Sequence, residues 1–283
     1  MLHLDLKNRD DFNRAPFGFT HDLSGLSLFS PENLHRLAQR YADSPGDYYI
    51  ASSAESANSP FYAGKPITAA PAEALEHLDT HPCRILLKRV DRHDDGFRDL
   101  LHTLFHQVAE FSGILRKDKV KRLESGIFIT STSNITPCHF DPEINFFSQI
   151  RGRKIYHVYP PAAVTEEELE RFYVAGRISI AEIDLLKRDK TLERTFELDA
   201  GKGLYHPQNS PHWVETTSEQ SVSYSFVFET ASTRACNRVR AYNHYLRQLG
   251  SPGRPPGERP EVDSFKHWTM RFVTQARKAV GKV

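Results

Sequence analysis

A histidine and an aspartate two residues apart stand in the run Thr136-Pro137-Cys138-His139-Phe140-Asp141-Pro142. The composition of residues 135–141 predicts a strand, and side chains at i and i+2 of a strand share one face, about 6–7 Å apart. An imidazole and a carboxylate placed side by side in this way can hold one metal ion. A second imidazole must come from elsewhere, and His212, in His206-Pro207-Gln208-Asn209-Ser210-Pro211-His212, supplies it. Two histidines and one carboxylate with positions left open form the facial triad of non-haem Fe(II) oxygenases. The open positions take a chelating cosubstrate and O₂. His206 is a rival ligand only six residues away, and we read it as a core or rim histidine. His102 and His106 have the i, i+4 spacing of a zinc pair, but Thr103 stands where a His-Glu-x-x-His motif needs its glutamate.

Because a lone His-x-Asp pair is common by chance, the elements that would position it matter. From residue 123 to 230 the chain reads as short strands: 126–132, 135–141, 145–150, 154–159, 194–198, 203–206 and 221–230. Turn signals separate them at Asp141-Pro142, Arg151-Gly152 and Ala200-Gly201. Many short strands in one stretch predict a barrel or sandwich. Thr165 and Glu168 form a capping box for an inserted helix over 166–174. Before this region, Ser30 caps a helix starting at Pro31, residues 84–90 read as a buried strand, and 97–111 as an amphipathic helix. After it, a helix over 234–249 ends at Gly250, and a last helix over 263–280 follows a Pro/Gly-rich connector. The expected organisation is an α/β region over 1–122, a β core over 123–232 and a helical region over 233–283.

The segment around the His-x-Asp pair resembles the JmjC-like cupin family of Fe(II)- and 2-oxoglutarate-dependent oxygenases. The likeness is carried by Asn134, Thr136, Pro137, His139, Asp141, Asn145, Phe146, Phe147, Gln149, Ile150, Gly152, Lys154, Pro160 and Pro161. It is similar to the corresponding segment of the asparaginyl hydroxylase of the hypoxia response. Downstream, the turn at 200–203, an aromatic strand, Pro207 and then His212 resemble the family's second ligand segment. Ser225 lies near where that hydroxylase has an asparagine on its last core strand. The tail Asn243-His244-Tyr245-Leu246-Arg247-Gln248-Leu249-Gly250 is similar to bacterial cupin-like proteins labelled transcriptional regulators. The resemblance implies a mainly β, double-stranded β-helix (jelly-roll) core with helical additions, iron held by His139, Asp141 and His212, and 2-oxoglutarate as cosubstrate. Lys154, fifteen residues after His139, takes the family's place for the lysine that binds the distal carboxylate. Thr136 is implied as a hydroxyl donor to the same carboxylate, and Asn145 as a hydrogen-bonding partner near the cosubstrate or a metal-bound oxygen.

Three classes of protein are compatible with these residues. A hydroxylase acting on a peptide, protein side chain or small molecule uses the triad and Lys154 together. A ligand-sensing regulator needs a DNA-binding element, which the sequence does not display. A cupin of other metal chemistry, such as an isomerase, keeps the histidines without needing Lys154. Composition supports an ordinary globular protein: 39% hydrophobic and 26% charged residues, with a formal charge of +1. That balance gives no global pull toward nucleic acid, and the run of Arg116, Lys117, Lys119, Lys121 and Arg122 reads as a solvated face. There is no apolar run long enough to span a membrane, and no apolar leader at the N-terminus. Three scattered cysteines predict reduced thiols in a cytoplasm. Apolar stripes on the two C-terminal helices, with Trp268 and Phe272 as anchors, predict a homodimer.

Overall fold

The computed structural model describes residues 1–61, 64–114, 118–174, 181–217, 220–251 and 253–279. Its strands are β1 (Leu2–His3), β2 (Phe17–His21), β3 (Tyr48–Ala51), β4 (Arg84–Lys88), β5 (Val120–Thr130), β6 (Ile135–Phe140) and β7 (Ile144–Arg151), then β8 (Lys154–Val158), β9 (Ala181–Glu182), β10 (Arg194–Leu198), β11 (Lys202–His206), β12 (His212–Thr216) and β13 (Ser221–Thr230). The helices are α1 (Pro31–Gln39), α2 (Pro71–Glu76), α3 (Val90–His93), α4 (Asp95–Ser112), α5 (Glu166–Val174), α6 (Ala231–Gln248) and α7 (Pro260–Ala279). Two antiparallel sheets make a jelly roll. The larger runs β1-β2-β11-β7-β13-β5-β4-β3 and the smaller β10-β8-β12-β6-β9.

Strand periodicity decides which side chains meet the space between the sheets. Along β7, Ile144, Phe146 and Ile150 face outward into the main hydrophobic cluster, which also holds Leu34 and Leu37 of α1 and Leu101, Leu104 and Val108 of α4. Asn145, Phe147 and Gln149 alternate with them and face inward. On β13 the outward residues are Tyr224, Phe226 and Phe228, whereas Ser221, Ser223 and Ser225 point inward. Those inward hydroxyls are satisfied by their neighbours. Ser223 Oγ donates to Gln149 Oε1 at 2.7 Å, and Gln149 Nε2 donates to Ser221 Oγ at 2.8 Å. Such pairing matters because a buried polar group left unmade costs about 1–3 kcal/mol.

Helix boundaries follow their capping residues. Ser30 Oγ accepts from the Asn33 amide, with Pro31 at the first helical position. Asp94 accepts from the Phe97 amide, and α4 ends on Gly113 in the left-handed region at φ 67°. The expected box at α5 is formed, with Thr165 N donating to Glu168 Oε2 at 2.9 Å and Glu168 N to Thr165 Oγ1 at 3.3 Å. α5 then joins α6 through the ion pairs Glu166–Arg240 and Glu170–Arg247, 2.9 and 2.7 Å long. β5 begins six residues earlier than expected, at Val120. Its basic start is structural, since Arg122 bonds Glu143 at 2.6 Å and Glu124 at 3.1 Å. Arg116 and Lys117 lie outside the described residues. None of the described helices is long and apolar enough to cross a membrane.

The tight β7–β8 turn needs its glycine. Gly152 has φ 72°, and a Cβ there would come within 2.4 Å of the Gln220 carbonyl oxygen. Gly152→Ala should therefore lower stability by about 2 kcal/mol or more, from backbone strain plus the clash. Urea denaturation followed by circular dichroism measures this, and an unchanged midpoint would show that the turn relaxes freely.

Candidate metal centre and its pocket

β12 lies between β6 and β8, and its register fixes the site. His212 is the direct cross-strand partner of His139. Directly opposed residues project to the same face, so both imidazoles enter the barrel side by side, with ring centroids 4.2 Å apart. Asp141 sits one residue beyond the end of β6, in the Asp-Pro turn, and not on the strand itself. Its backbone carbonyl accepts from the Asn209 amide at 2.9 Å, which ties this turn to the 207–211 turn before His212. The carboxylate lies 3.8 Å from His139 Nε2 and 3.8 Å from His212 Nε2. One ligand atom from each of the three residues lies within 4.8 Å of the others, and this is the one such group found among the described residues.

The donor set is prepared for a cation. His139 Nδ1 bonds the Pro137 carbonyl at 2.8 Å, and His212 Nδ1 bonds the Ser210 carbonyl at 3.0 Å. A carbonyl only accepts, so each Nδ1 carries the proton and each Nε2 presents its lone pair toward Asp141. Burial holds both imidazoles below their ordinary pKa, and the neighbouring His212 lowers His139 further, so they are neutral at pH 7. Neutral imidazole is the ligating form. Burial raises the Asp141 carboxyl, while His212 and a hydrogen bond from Asn145 oppose that. Asn145 is itself held by Ser225, whose Oγ donates to Asn145 Oδ1 at 3.2 Å. Two neutral nitrogens and one carboxylate oxygen with an open side suit a divalent transition metal.

His206 is not part of this group. It is fully buried, its Nδ1 faces the Pro207 carbonyl at 3.3 Å, and Tyr156 Oη donates to its Nε2 at 3.2 Å. The Tyr156 ring in turn stacks on His212, 5.3 Å between centroids and 21° from parallel, so the pair wedges the ligand in place. His102 and His106 are exposed on α4.

The triad opens into a cavity of about 180 Å³ that Lys154, Thr136 and Asn145 also line. Lys154 is the cross-strand partner of Thr216, four residues along β12 from His212 and so about 13 Å deeper along the strand. It is 4% exposed. Its ammonium donates to Thr130 Oγ1 at 3.4 Å and lies 5.9 and 5.7 Å from the Phe128 and Phe147 ring centroids. Among the described residues no carboxylate lies within ion-pairing distance of it. Burial, aided by the Arg84 guanidinium, pulls its pKa down to about 7. Thr136 lies on the same wall as Val214, its cross-strand partner. The sequence reading missed Thr130, Tyr156, Phe61 and Arg84, all of which line this cavity. Only a pattern of inward positions on β4, β5 and β8 could have suggested them.

A jelly roll with three converging ligands and a buried lysine beneath them defines a cupin-type metal-binding protein. Residues 86–234 match the cupin-like domain family, and the chain belongs to it. Human HSPB1-associated protein 1 is 30% identical over 109 residues, which are 35% of this chain and 22% of that protein. The rat protein is 30% identical over the same length, 23% of its sequence. The match thus spans under a quarter of those relatives. The X-ray structure of YcfD from Escherichia coli has a TM-score of 0.55 at 18% identity, covering 96% of this chain and 68% of that one. YcfD, described as a ribosomal oxygenase, was also solved in complex with cobalt and 2-oxoglutarate, and that structure gives 0.52 at 18% identity over 96% and 67%. At such identity the likeness establishes the shared double-stranded β-helix.

Alanine at His139, Asp141 or His212 is expected to abolish retention of Fe(II) or Co(II) after desalting, read by metal analysis. Folding should persist, because the hydrophobic clusters do not include the ligands. His206→Ala should keep its metal. Loss of metal in that variant, with retention in His212→Ala, would assign the second imidazole to His206.

Proposed function

We propose that the protein is an Fe(II)- and 2-oxoglutarate-dependent oxygenase that hydroxylates a peptide, a protein side chain or a small molecule. The observation that carries this reading is one pocket lined both by a two-histidine, one-carboxylate triad and by a buried lysine that has no carboxylate partner among the described residues. Iron bound there supplies the oxidation, in which 2-oxoglutarate, O₂ and R–H become succinate, CO₂ and R–OH. YcfD, a structural neighbour, is described as an oxygenase and takes cobalt and 2-oxoglutarate, which supports the same assignment. A cupin of isomerase type would have no use for Lys154.

In this reading His139, Asp141 and His212 hold the metal, with Asn145 and Ser225 orienting the carboxylate. Lys154 binds the distal carboxylate of 2-oxoglutarate, and hydroxyls of Thr136 and Thr130 stand on the surrounding wall. Phe128, Phe147 and Val214 keep water from this end. Residues 123–232 form the catalytic unit, with 1–122 and 233–283 as additions to it. Three free cysteines favour a cytoplasmic setting.

Removing one member of a buried ion pair costs about 3–5 kcal/mol. Lys154→Ala should therefore weaken 2-oxoglutarate binding by about 10²–10³-fold in calorimetry on the anaerobic iron form. Lys154→Arg should retain part of it, and Thr136→Val should cost about 1 kcal/mol. The pH dependence has a defined sign. With its pKa near 7, Lys154 is a cation below that pH, and a carboxylate partner raises the value again. Affinity should be full below pH 7 and decline as pH rises above it. At higher pH, binding should take up a proton, visible as a buffer-dependent enthalpy. Iron-loaded protein that binds no 2-oxoglutarate would remove the oxygenase reading.

We also propose that a second copy of the chain packs on α7. Lys266 and Met270 on one face of this helix are buried, whereas Phe265, Trp268 and Phe272 on the other are 64%, 50% and 65% exposed. Three large aromatics on one exposed helical stripe match the anchors that dominate interfaces. Sedimentation should show a dimer at micromolar concentration that Trp268→Asp converts to monomer. A wild-type monomer under those conditions would exclude this interface.

A further inference from the structure

The wall of the pocket opposite the small sheet comes from β4, which pairs with β5 at the edge of the core. Arg84, Leu86 and Lys88 alternate along β4 and all three line the same cavity as the triad. Tyr49 of β3, the cross-strand partner of Leu86, continues this wall. Arg84 lies at the inner end, its guanidinium donating to the Phe61 carbonyl at 3.1 Å and lying 4.9 Å from the Phe61 ring. That ring packs edge-on against His139, 4.6 Å between centroids. Lys88 lies at the other end of the row, about 13 Å along the strand from Arg84.

Lys88 is placed to meet something that enters. Its partner across β5 is Gly126, which has no side chain to cover it. β3 reaches only Leu87, so no β3 residue lies opposite Lys88. The side chain is exposed by area, and partial desolvation lowers its pKa. Among the described residues no carboxylate lies within ion-pairing distance of Lys88. Of the described residues that line the cavity, the one acid is Asp141, which belongs to the triad.

We propose that Lys88 selects an acceptor substrate bearing a carboxylate, which it holds at the mouth while the Leu86–Tyr49 wall guides the rest of the acceptor toward the triad. This rests on the oxygenase reading and narrows its acceptor to a class. The carboxylate can belong to a small acid or to an acidic peptide side chain, since one ammonium beside an apolar wall recognises the same group in both.

The test uses probe pairs that differ only in charge: phenylpropionate against phenylpropanamide, and a blocked Gly-Glu-Gly tripeptide against Gly-Gln-Gly. Binding is measured by calorimetry on the anaerobic Fe(II) protein, first with 2-oxoglutarate and then with each probe at saturating 2-oxoglutarate. At least one acid should bind about tenfold tighter than its amide, as expected for a charge-assisted hydrogen bond. Preference within the first pair identifies a small acid, and within the second an acidic peptide. The preference should vanish in Lys88→Ala, reverse in Lys88→Glu and return in Lys88→Arg. Lys187→Glu, an exposed lysine outside the cavity, should leave it in place. Equal affinity of acid and amide, no detectable binding of either acid, or a preference that survives Lys88→Glu would each overturn the proposal. Failure of the initial 2-oxoglutarate titration has a different meaning, because it removes the oxygenase reading and the acceptor class with it.

Discussion

The pairing of β12 with β6 on one side and β8 on the other is the constraint from which the site follows. It sets His212 opposite His139 and, four residues along, Thr216 opposite Lys154. The two ends of the pocket are therefore held in register by one five-residue strand. A slip of one residue would turn His212 outward and bring Trp213 into the barrel, because side-chain direction alternates with period two. Trp213 instead stacks on His157 outside, with centroids 3.7 Å apart and planes 7° from parallel. That contact opposes the slip. The irregularity between His212 and Val214 adjusts the β6 register near the metal end, where bulges commonly re-aim side chains.

Keeping such a pocket intact has a stability cost that the rest of the fold must offset. A lysine in a buried setting, two neutral histidines and a raised carboxyl are each less favourable than apolar residues of the same size. The cost is confined to one face of each sheet. The outer faces of β5, β7 and β13 pack with α1 and α4 into a continuous aromatic and aliphatic cluster. Gln149, which also faces inward, is paired between Ser221 and Ser223. Lys154 is the contrast, resting on one hydroxyl and two aromatic faces. On the oxygenase reading, an interior that pairs this glutamine and leaves the lysine to weak partners suits an anionic cosubstrate.

The core strands and the triad were legible in the sequence because both carry local signals. Turns at Asp141-Pro142 and Arg151-Gly152 punctuate the strands, and the spacing of motif residues is fixed by strand geometry. β12 was missed for a physical reason. Its inward residues are His212, Val214 and Thr216, so the face that is buried is largely polar and does not alternate in hydrophobicity. β5 was begun too late because Lys121, Arg122 and Glu124 look solvated, whereas Arg122 is held between two glutamates. Asn145 was expected beside the cosubstrate. It does line the cavity, but its hydrogen bonds go to Asp141 and Ser225, a relation across β13 that no local pattern encodes. Thr130 reads in sequence as an ordinary β-branched strand residue, and only packing of β5 against β8 brings it to Lys154.

On the proposed reading, the contacts to metal and cosubstrate and those to the acceptor come from different strands. The triad and Lys154 come from β6, its following turn, β12 and β8, all within the segment that matches the family. Much of the opposite wall comes from Tyr49 and Phe61, before that segment, and from the Arg84–Lys88 strand, which straddles its start. These strands belong to the major sheet through the β5–β4 and β4–β3 pairs. They carry none of the three candidate metal ligands. A reaction that requires fixed ligand geometry constrains the barrel strands strongly. An acceptor needs only a complementary surface within reach of the metal, and an added pair of edge strands supplies one without disturbing the ligands. On the proposed reading the acceptor is therefore to be sought along the β3–β4 wall, apart from the strands that carry the ligands.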